Sequence, residues 1–215
     1  MAEISFVFNR PWSVRIPPVT RQLKTEYVDA FFRDGTLRLS SFELFRKHPD
    51  ELRRDSQEGR VSMQIHGANS KVSVVAINGQ ETYVMCASVV EAQLPSDGST
   101  SAFRILDTFG FANSISGQIP GFLGGIEGLC CYRDSTALTK QDPQPFEPPP
   151  DGTDVEKWFE EQDRRIGKHS IDALFIKESR FAHEAEYRLI WFASGTNREY
   201  IDIKCPAACQ FCERL

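Results

Sequence analysis

The chain has 215 residues, of which 40% are hydrophobic and 26% charged, a composition that excludes a disordered or fibrous protein and predicts one globular domain over 1–215. The formal net charge of -5 gives no overall attraction to nucleic acid or to an anionic membrane. The first residues lack the pattern of a signal peptide and no segment is as apolar as a membrane span, so we expect a cytoplasmic protein whose cysteines are thiols or metal ligands.

Hydrophobic periodicity and turn residues predict an α+β protein with mainly antiparallel strands. In chain order, the predicted elements are a strand or packed arm at 13–16, a helix at 20–34, a strand at 36–40, a short helix after Ser41, strands at 60–65, 71–77 and 82–90, a helix at 102–109, a strand at 128–132, a helix at 154–165, and strands at 171–176, 184–191 and 199–203.

The helix at 20–34 is expected to bury Leu23, Tyr27 and Phe31 on one face and to end at Gly35. The three strands between 60 and 90 are expected to form an antiparallel meander, because turn residues such as 67–69 separate them. For the same reason, the strands at 184–191 and 199–203 are expected to pair as a hairpin.

Three further segments are predicted to lack regular structure. The polar segment 53–60 is expected to be a surface loop or a loop that lines a site. Residues 111–125 contain four glycines without either phosphate-binding spacing, which predicts an irregular loop or a flexible lid. Residues 141–152 contain five prolines and are expected to form an exposed connector within the domain.

The strand at 184–191 is unusual because two carboxylates begin it. Glu184, Glu186 and Arg188 are spaced two residues apart and are expected to project from one face, opposite Tyr187 and Trp191. Carboxylates beside aromatic side chains need a charge partner or a polar ligand, so this face is the first candidate for chemistry. The alternative interpretation is a solvated face on which Arg188 neutralises one glutamate.

The cysteines and histidines give little support to a metal centre or a hydrolase. Only one C-x-x-C spacing is present among Cys205, Cys209 and Cys212. We therefore interpret these cysteines as buried thiols on a short C-terminal helix. The alternative is a zinc site that a fourth ligand from elsewhere in the chain completes. The histidines have no H-E-x-x-H spacing, and no serine lies in a G-x-S-x-G turn.

Two resemblances to known families follow from these motifs. The runs L-R-L-S-S, R-D-S-Q-E-G and F-A-H-E-A-E-Y-R resemble an uncharacterised family of bacterial and phage proteins. The order of Arg38, Ser88 and the E-x-E pair Glu184 and Glu186 is similar to that of ADP-ribosyltransferases, in which three short strands line a cleft for NAD. The usual S-T-S triplet of that family is Cys86-Ala87-Ser88 here.

The second resemblance implies an ADP-ribosyltransferase-like fold with split sheets and flanking helices. It further implies transfer of ADP-ribose from NAD to a macromolecular acceptor, protein or nucleic acid, by a bacterial or phage-related toxin or defence effector with a regulatory or antitoxin partner. Glu186 would stabilise the oxocarbenium-like sugar, and Glu184 would orient or deprotonate the acceptor. The remaining assignments are Arg38, Ser40 and Ser88 as cofactor contacts and Asp55, Glu58 and His183 at the pocket rim.

Two other functions stay open at this level. One is a non-catalytic interaction module of the same fold, in which the glutamates are solvated or salt-bridged. The other is a metal-dependent nuclease with magnesium or manganese held by the carboxylates Asp55, Glu58, Glu184 and Glu186.

Overall fold

The computed structural model describes residues 17–47, 49, 55–66, 71–91, 95–135, 137–141, 149–195 and 198–215. The expected arm at 13–16, the turn at 67–69 and residues 142–148 of the proline-rich connector lie outside this part of the chain. Among the described residues, no helix has the length and apolar character needed to cross a membrane.

The elements are four α-helices, three 3-10 helices and thirteen strands within the described ranges. They are β1 Val19–Lys24, α1 Thr25–Asp34, β2 Thr36–Ser40, α2 Phe42–Arg46, β3 Arg60–His66, β4 Lys71–Ile77, β5 Thr82–Ser88, β6 Thr100–Ile105, α3 Thr108–Ser116, β7 Phe122–Leu129, β8 Cys131–Arg133, β9 Ala137–Gln141, α4 Val155–Ser170, the 3-10 helix Ile171–Phe175, β10 Ile176–Glu178, the 3-10 helix Ser179–Glu184, β11 Glu186–Ala193, β12 Tyr200–Lys204, the 3-10 helix Pro206–Phe211 and β13 Cys212–Arg214.

An eight-stranded antiparallel sheet organises these elements. β5 and β11 pair along their length, from Ser88 opposite Glu186 to Thr82 opposite Phe192, and β7 pairs with the other edge of β11. Two strands share the remaining edge of β5, because β2 meets it at Val84 and β1 meets it at Ser88. The sheet therefore divides at β5 into a β2–β12 branch and a β1–β6–β13 branch. The predicted α+β class with mainly antiparallel strands is confirmed.

The two faces of the β5–β11 pair contact different cores, because alternate residues of a strand point to opposite faces. Leu189 and Trp191 belong to the larger core, which also contains buried residues of α1 and α3. Ile190 belongs to a smaller core with Phe42 and Leu174. The prediction that Tyr187 and Trp191 point away from Glu186 and Arg188 is confirmed, since both aromatic residues lie in the larger core.

Two small sheets complete the fold. β3 pairs antiparallel with β4 and parallel with β9, and β8 pairs parallel with β10. The expected meander is wrong in its third strand, because β5 leaves β3 and β4 and joins the main sheet. The apolar side chains of β5 require burial on both faces, which only a central strand provides.

The predicted helix at 20–34 is correct only from Thr25. Residues 19–24 form β1 because six consecutive residue pairs with β6 outweigh the local helical periodicity. The helix consequently buries Val28 and Phe31, whereas Tyr27 is 53% exposed. Gly35 ends the helix as predicted, with a φ of 74° and its N–H donated to the Phe31 carbonyl.

Other predicted boundaries are also corrected by tertiary pairing. The helix expected at 102–109 is strand β6 followed by α3, and the glycine-rich segment 111–125 is mostly α3 and β7 rather than a loop. The strand expected at 171–176 is a 3-10 helix that leads into β10. The expected hairpin does not form, since β11 pairs with β5 and β7 while β12 pairs with β2. Helix α4 is capped by Asp154, the first residue of the helix predicted at 154–165, whose carboxylate accepts from the N–H groups of the first turn.

Gly35→Ala is expected to destabilise the protein more than Gly98→Ala does. Both glycines have a positive φ, so each substitution carries the left-handed backbone cost of about 1 kcal/mol. A Cβ at Gly35 would lie 2.2 Å from the backbone nitrogen of Pro206, whereas a Cβ at Gly98 would meet no heavy atom within 4 Å. Urea unfolding should show an additional loss of about 2 kcal/mol for Gly35→Ala; equal losses would contradict the close packing at Gly35.

Candidate functional site

A cleft of about 770 Å³ opens where β1 meets the end of β5. Its walls come from β1, from the last residues of β5 and from side chains between Lys177 and Glu186, and Phe45 of α2 also lines it. Four of the residues expected at a site line this cleft, namely Ser88, His183, Glu184 and Glu186.

Glu186, the first residue of β11, lies at the base of the cleft and is 3% exposed. Its Oε1 accepts a 2.6 Å hydrogen bond from Arg188 Nε, and its Oε2 accepts a 2.5 Å hydrogen bond from Lys177 Nζ. Its backbone N–H donates to the hydroxyl of Tyr132 at 2.6 Å. Burial alone would raise the pKa of Glu186, but the neighbouring Arg188 and Lys177 cations outweigh burial and hold this pKa well below its ordinary value. Glu186 is therefore a fixed, ionised carboxylate.

Glu184 reaches the same site from a different element. It ends the 3-10 helix Ser179–Glu184, so the expectation that both glutamates project from one strand is wrong. Ala185 between them has a φ of 43°, a left-handed conformation in which the chain reverses before β11. The half-buried Glu184 carboxylate accepts a hydrogen bond from Lys177 Nζ. One ammonium group therefore binds both glutamates.

Ser88 fixes the backbone beside these glutamates. Its hydroxyl donates to the Glu184 carbonyl oxygen at 2.7 Å and accepts from the Val90 N–H at 3.2 Å. The Val89 N–H donates to the Ala185 carbonyl oxygen at 3.0 Å. Ser88 thus lines the cleft and holds the turn that carries Glu184. His183, on the exposed side of that turn, contacts the Arg180 carbonyl oxygen through Nδ1 at 3.1 Å.

Arg188 extends the charged groups behind the cleft. It is 1% exposed and donates through Nη1 to the Leu174 carbonyl oxygen at 2.6 Å. The same nitrogen lies 2.6 Å from Glu58 Oε1, in an ion pair without the alignment of a hydrogen bond. Burial raises the pKa of Glu58 to about 7, although the Arg188 cation opposes this shift. Glu58, Glu184, Glu186, Lys177 and Arg188 form one group, which we call the charge cluster.

Asp55 and Glu58 are buried behind the cleft, which corrects their expected place at its rim. Asp55 is 2% exposed and Glu58 is 3% exposed, so residues 55–59 are not a solvated loop. Asp55 Oδ1 accepts from the Gln57 N–H at 3.0 Å, and burial raises the pKa of Asp55. Hydrogen bonds within the turn and ion pairing to Arg188 make this burial tolerable.

The arginine that lines the cleft is Arg21, not Arg38. Arg21 lies on β1 next to Thr20, which pairs with Ser88, and its Nη1 donates to the Cys86 carbonyl oxygen at 2.5 Å. Burial lowers the pKa of Arg21, but a guanidinium stays charged in proteins. Residues 19–24 contain three consecutive polar residues, Thr20, Arg21 and Gln22, so no alternation in polarity marks them as a strand that carries Arg21 into a site.

The structure does not bring Arg38 and Ser40 to the cleft. Arg38 donates from Nε and Nη2 to the two carboxylate oxygens of Asp202, at 2.7 and 2.8 Å, and its guanidinium carbon lies 3.9 Å from the centre of the Tyr200 ring. Ser40 pairs with Tyr200 and with Val84 through the backbone. Both residues belong to the β2–β12 branch of the sheet, whereas the cleft lies beside β1.

Lys177 is not predicted by any motif in the sequence, although it binds both candidate glutamates. It is 9% exposed and lies on β10, whose parallel pairing with β8 places it opposite Tyr132. The signal that could have identified it is a lysine directly after the apolar run 173–176. A cation in such a position must be paired if it is buried.

The described residues contain no group of three or more His, Cys, Asp or Glu side chains arranged to hold a metal ion. Cys205 and Cys209 instead donate to the carbonyl oxygens of Ser114 and Phe31, at 3.3 and 3.1 Å. In the charge cluster, Lys177 lies between Glu184 and Glu186, and Arg188 lies between Glu186 and Glu58. These side-chain cations occupy the places that a metal would need between the carboxylates.

Comparison with known proteins gives no family assignment. No protein-family model, no curated protein and no solved structure matches the chain. Function is therefore inferred from the cleft and the charge cluster.

As pH rises from about 5 to about 8, the Glu58→Gln variant is expected to gain stability relative to the wild type. Glu58 keeps its proton up to a pKa of about 7 in the folded protein, against an ordinary value of 4.5. Between these values the folded state binds more protons than the unfolded chain, so the wild type loses stability as pH rises and the glutamine variant does not.

Urea unfolding across this pH range measures the difference between the two proteins, which should grow by roughly 3 kcal/mol. Glu160→Gln, on the exposed surface of α4, is the matched control. A difference between Glu58→Gln and the wild type that stays constant with pH would show that Glu58 titrates normally.

Proposed function

We propose that the protein is an NAD-dependent ADP-ribosyltransferase that modifies a macromolecular acceptor, protein or nucleic acid. The observation that carries this proposal is the pair of glutamates bound by Lys177 in a cleft that Arg21 and Ser88 also line. The cleft volume of about 770 Å³ is in the ordinary range of small-molecule sites, roughly 300–1,000 Å³.

The proposed chemistry begins with cleavage of the bond between nicotinamide and ribose. Nicotinamide leaves with the bonding electron pair, and positive charge develops on the sugar. The Glu186 carboxylate would accept a hydrogen bond from a ribose hydroxyl and stabilise that charge. Lys177 and Arg188 fix Glu186 in place, so little reorganisation is needed when the charge develops.

The second step is attack by the acceptor on the sugar carbon. Glu184 is suited to accept the acceptor's proton because its carboxylate is half-buried at the cleft and has one described cation, Lys177, as partner. Arg21 would pair with a cofactor phosphate, for which a planar guanidinium is well suited. In this proposal, Arg21 takes the role that the sequence suggested for Arg38.

The proposal includes an ADP-ribosyltransferase-like fold. Its support is the neighbouring placement of β1, β5 and β11, which carry Arg21, Ser88 and Glu186 in that order along the chain. We propose that the protein acts in the cytoplasm as a bacterial or phage-related toxin or defence effector. The unpaired state of all six cysteines fits a reducing compartment. An enzyme that modifies essential macromolecules would need a regulatory or antitoxin partner in its own cell.

The alternative function is a non-catalytic interaction module of the same fold. It is favoured by the ion pairing of every member of the charge cluster, because paired charges of this kind also occur as structural features. A wild-type protein that releases no nicotinamide from NAD, with or without a cell extract as acceptor, would support this alternative.

Arg21→Gln is expected to raise the KM for NAD by about tenfold or more, because a phosphate loses its charged partner. Arg38→Gln is the matched comparison, since it removes the same group from the β2–β12 branch, and its KM should stay within about twofold of the wild type. Nicotinamide release measured by chromatography gives both values. A larger increase in the KM for NAD in Arg38→Gln than in Arg21→Gln would show that Arg38, and not Arg21, binds the cofactor.

Glu186→Gln and Glu184→Gln should separate cleavage from transfer. Glu186→Gln should lower kcat for nicotinamide release by about 10³-fold, because the developing charge on the sugar loses its counter-ion. Glu184→Gln should lower transfer to the macromolecule by about 10²-fold while release of nicotinamide to water is retained. Labelled NAD reports transfer and chromatography reports release.

Both variants need a control for folding, because Glu186 is buried between two cations. Its replacement should also cost about 3 kcal/mol of stability, so rates are compared well below the melting temperature of each variant. Unchanged release by a folded Glu186→Gln protein would refute the proposed role of Glu186.

A further inference from the structure

A second cavity, of about 1050 Å³, lies at the opposite end of β5 and β11 from the cleft. Thr82 and Phe192 pair across these two strands and line this second cavity, whereas Ser88 and Glu186 pair at the other end and line the cleft. The proposed transferase chemistry does not use the second cavity.

The wall of the second cavity combines apolar surface with negative charge. Its large apolar side chains are Ile77, Leu123, Ile171, Leu174 and Phe192. Leu123 is 42% exposed, so part of this apolar surface is uncovered. Glu81 and Asp163 also line the cavity, and none of its described lining residues is a lysine, arginine or histidine. The wall therefore favours a ligand with an apolar body and a positive charge.

Thr82 lies in the wall of the second cavity. Its side chain is on the strand face that the cavity covers, and the residue is 5% exposed. Its buried Oγ1 has no hydrogen-bond partner among the described atoms.

We propose that the second cavity binds a small organic cation with an apolar body, of the arylalkylamine class. Its ammonium group would pair with Glu81 and Asp163, and its apolar body would contact Leu123 and Phe192. Pockets lined mainly by apolar groups with a few charged ones are the usual form of a small-molecule site.

The walls of this cavity also touch the segments that hold the charge cluster. Leu174 lines the cavity, and its carbonyl oxygen accepts the hydrogen bond from Arg188. Asn78 lines the cavity as well, and its N–H donates to the carbonyl oxygen of Gly59 at 2.8 Å, directly after Glu58. A ligand in the second cavity would thus contact residues on both sides of the Arg188–Glu58 ion pair.

Isothermal titration with the phenethylammonium ion tests the proposal, with 2-phenylethanol as its uncharged counterpart. We expect saturable binding of the cation and binding of the alcohol that is weaker by about tenfold or more. The double variant Glu81→Gln/Asp163→Asn should lose about the same factor in affinity for the cation. Glu156→Gln/Glu160→Gln, which removes two exposed α4 carboxylates outside the cavity wall, should bind like the wild type.

Gly167→Trp provides a test that does not depend on charge. A Cβ at Gly167 would meet no heavy atom within 4 Å, so the fold should accept the substitution while the indole fills the cavity and blocks binding. Glu91→Gln removes a carboxylate of the cleft instead and should leave cation binding unchanged. The proposal is overturned by a lack of saturable binding, by equal binding of the alcohol, or by loss of binding only in the cleft variant.

Discussion

The pairing of Glu186 with Lys177 and Arg188 is the interaction on which the arrangement of the site depends. A carboxylate that is 3% exposed can stay ionised only if nearby cations replace the solvation that it has lost. Lys177 comes from β10 and Arg188 from β11 itself, while Glu58 pairs with Arg188 from the turn that precedes β3. Three separate parts of the chain are therefore brought together by the need to compensate buried charge.

The division of the sheet at β5 explains why this cluster lies beside an open cleft. A strand edge has a limited number of backbone groups, and β1 and β2 each take one end of the same edge of β5. The end taken by β1 is next to Ser88 and the start of β11, so Arg21 is carried to the glutamates. The end taken by β2 is next to Val84, so Arg38 is carried to the surface, where it pairs with Asp202.

The carboxylates of the charge cluster differ in protonation, because each has a different environment. If all its members are ionised, three carboxylates face two cations, and the net charge is negative. Because the pKa of Glu58 is raised to about 7 by burial, this net charge changes near neutral pH. The Glu186 carboxylate stays ionised throughout that range, since its pKa is lowered by two direct cation contacts. Separate environments thus give two carboxylates of one cluster different protonation behaviour.

The sequence by itself determined those features that depend on short-range chemistry. The positive φ of Gly35, the capping of α2 by Ser41 and of α4 by Asp154, the alternation in β2 and the inward aromatic residues of β11 follow from neighbouring residues alone. The polarity of E-A-E-Y-R beside an apolar run likewise marks Glu184, Glu186 and Arg188 as unusual from the sequence alone.

Only the tertiary structure decided which distant residues contact Glu184, Glu186 and Arg188. Residues 19–24 fit a helical pattern locally, but as a strand they form six residue pairs with β6. This strand places Arg21 in the cleft, where the sequence suggested Arg38. Glu58 and Lys177 are 128 and nine positions from Glu186 in the chain, so no local pattern predicts that Arg188 and Glu186 would bind them. Burial of charge is compensated by whichever partner the fold brings within hydrogen-bond distance, and that distance is not encoded in any single segment.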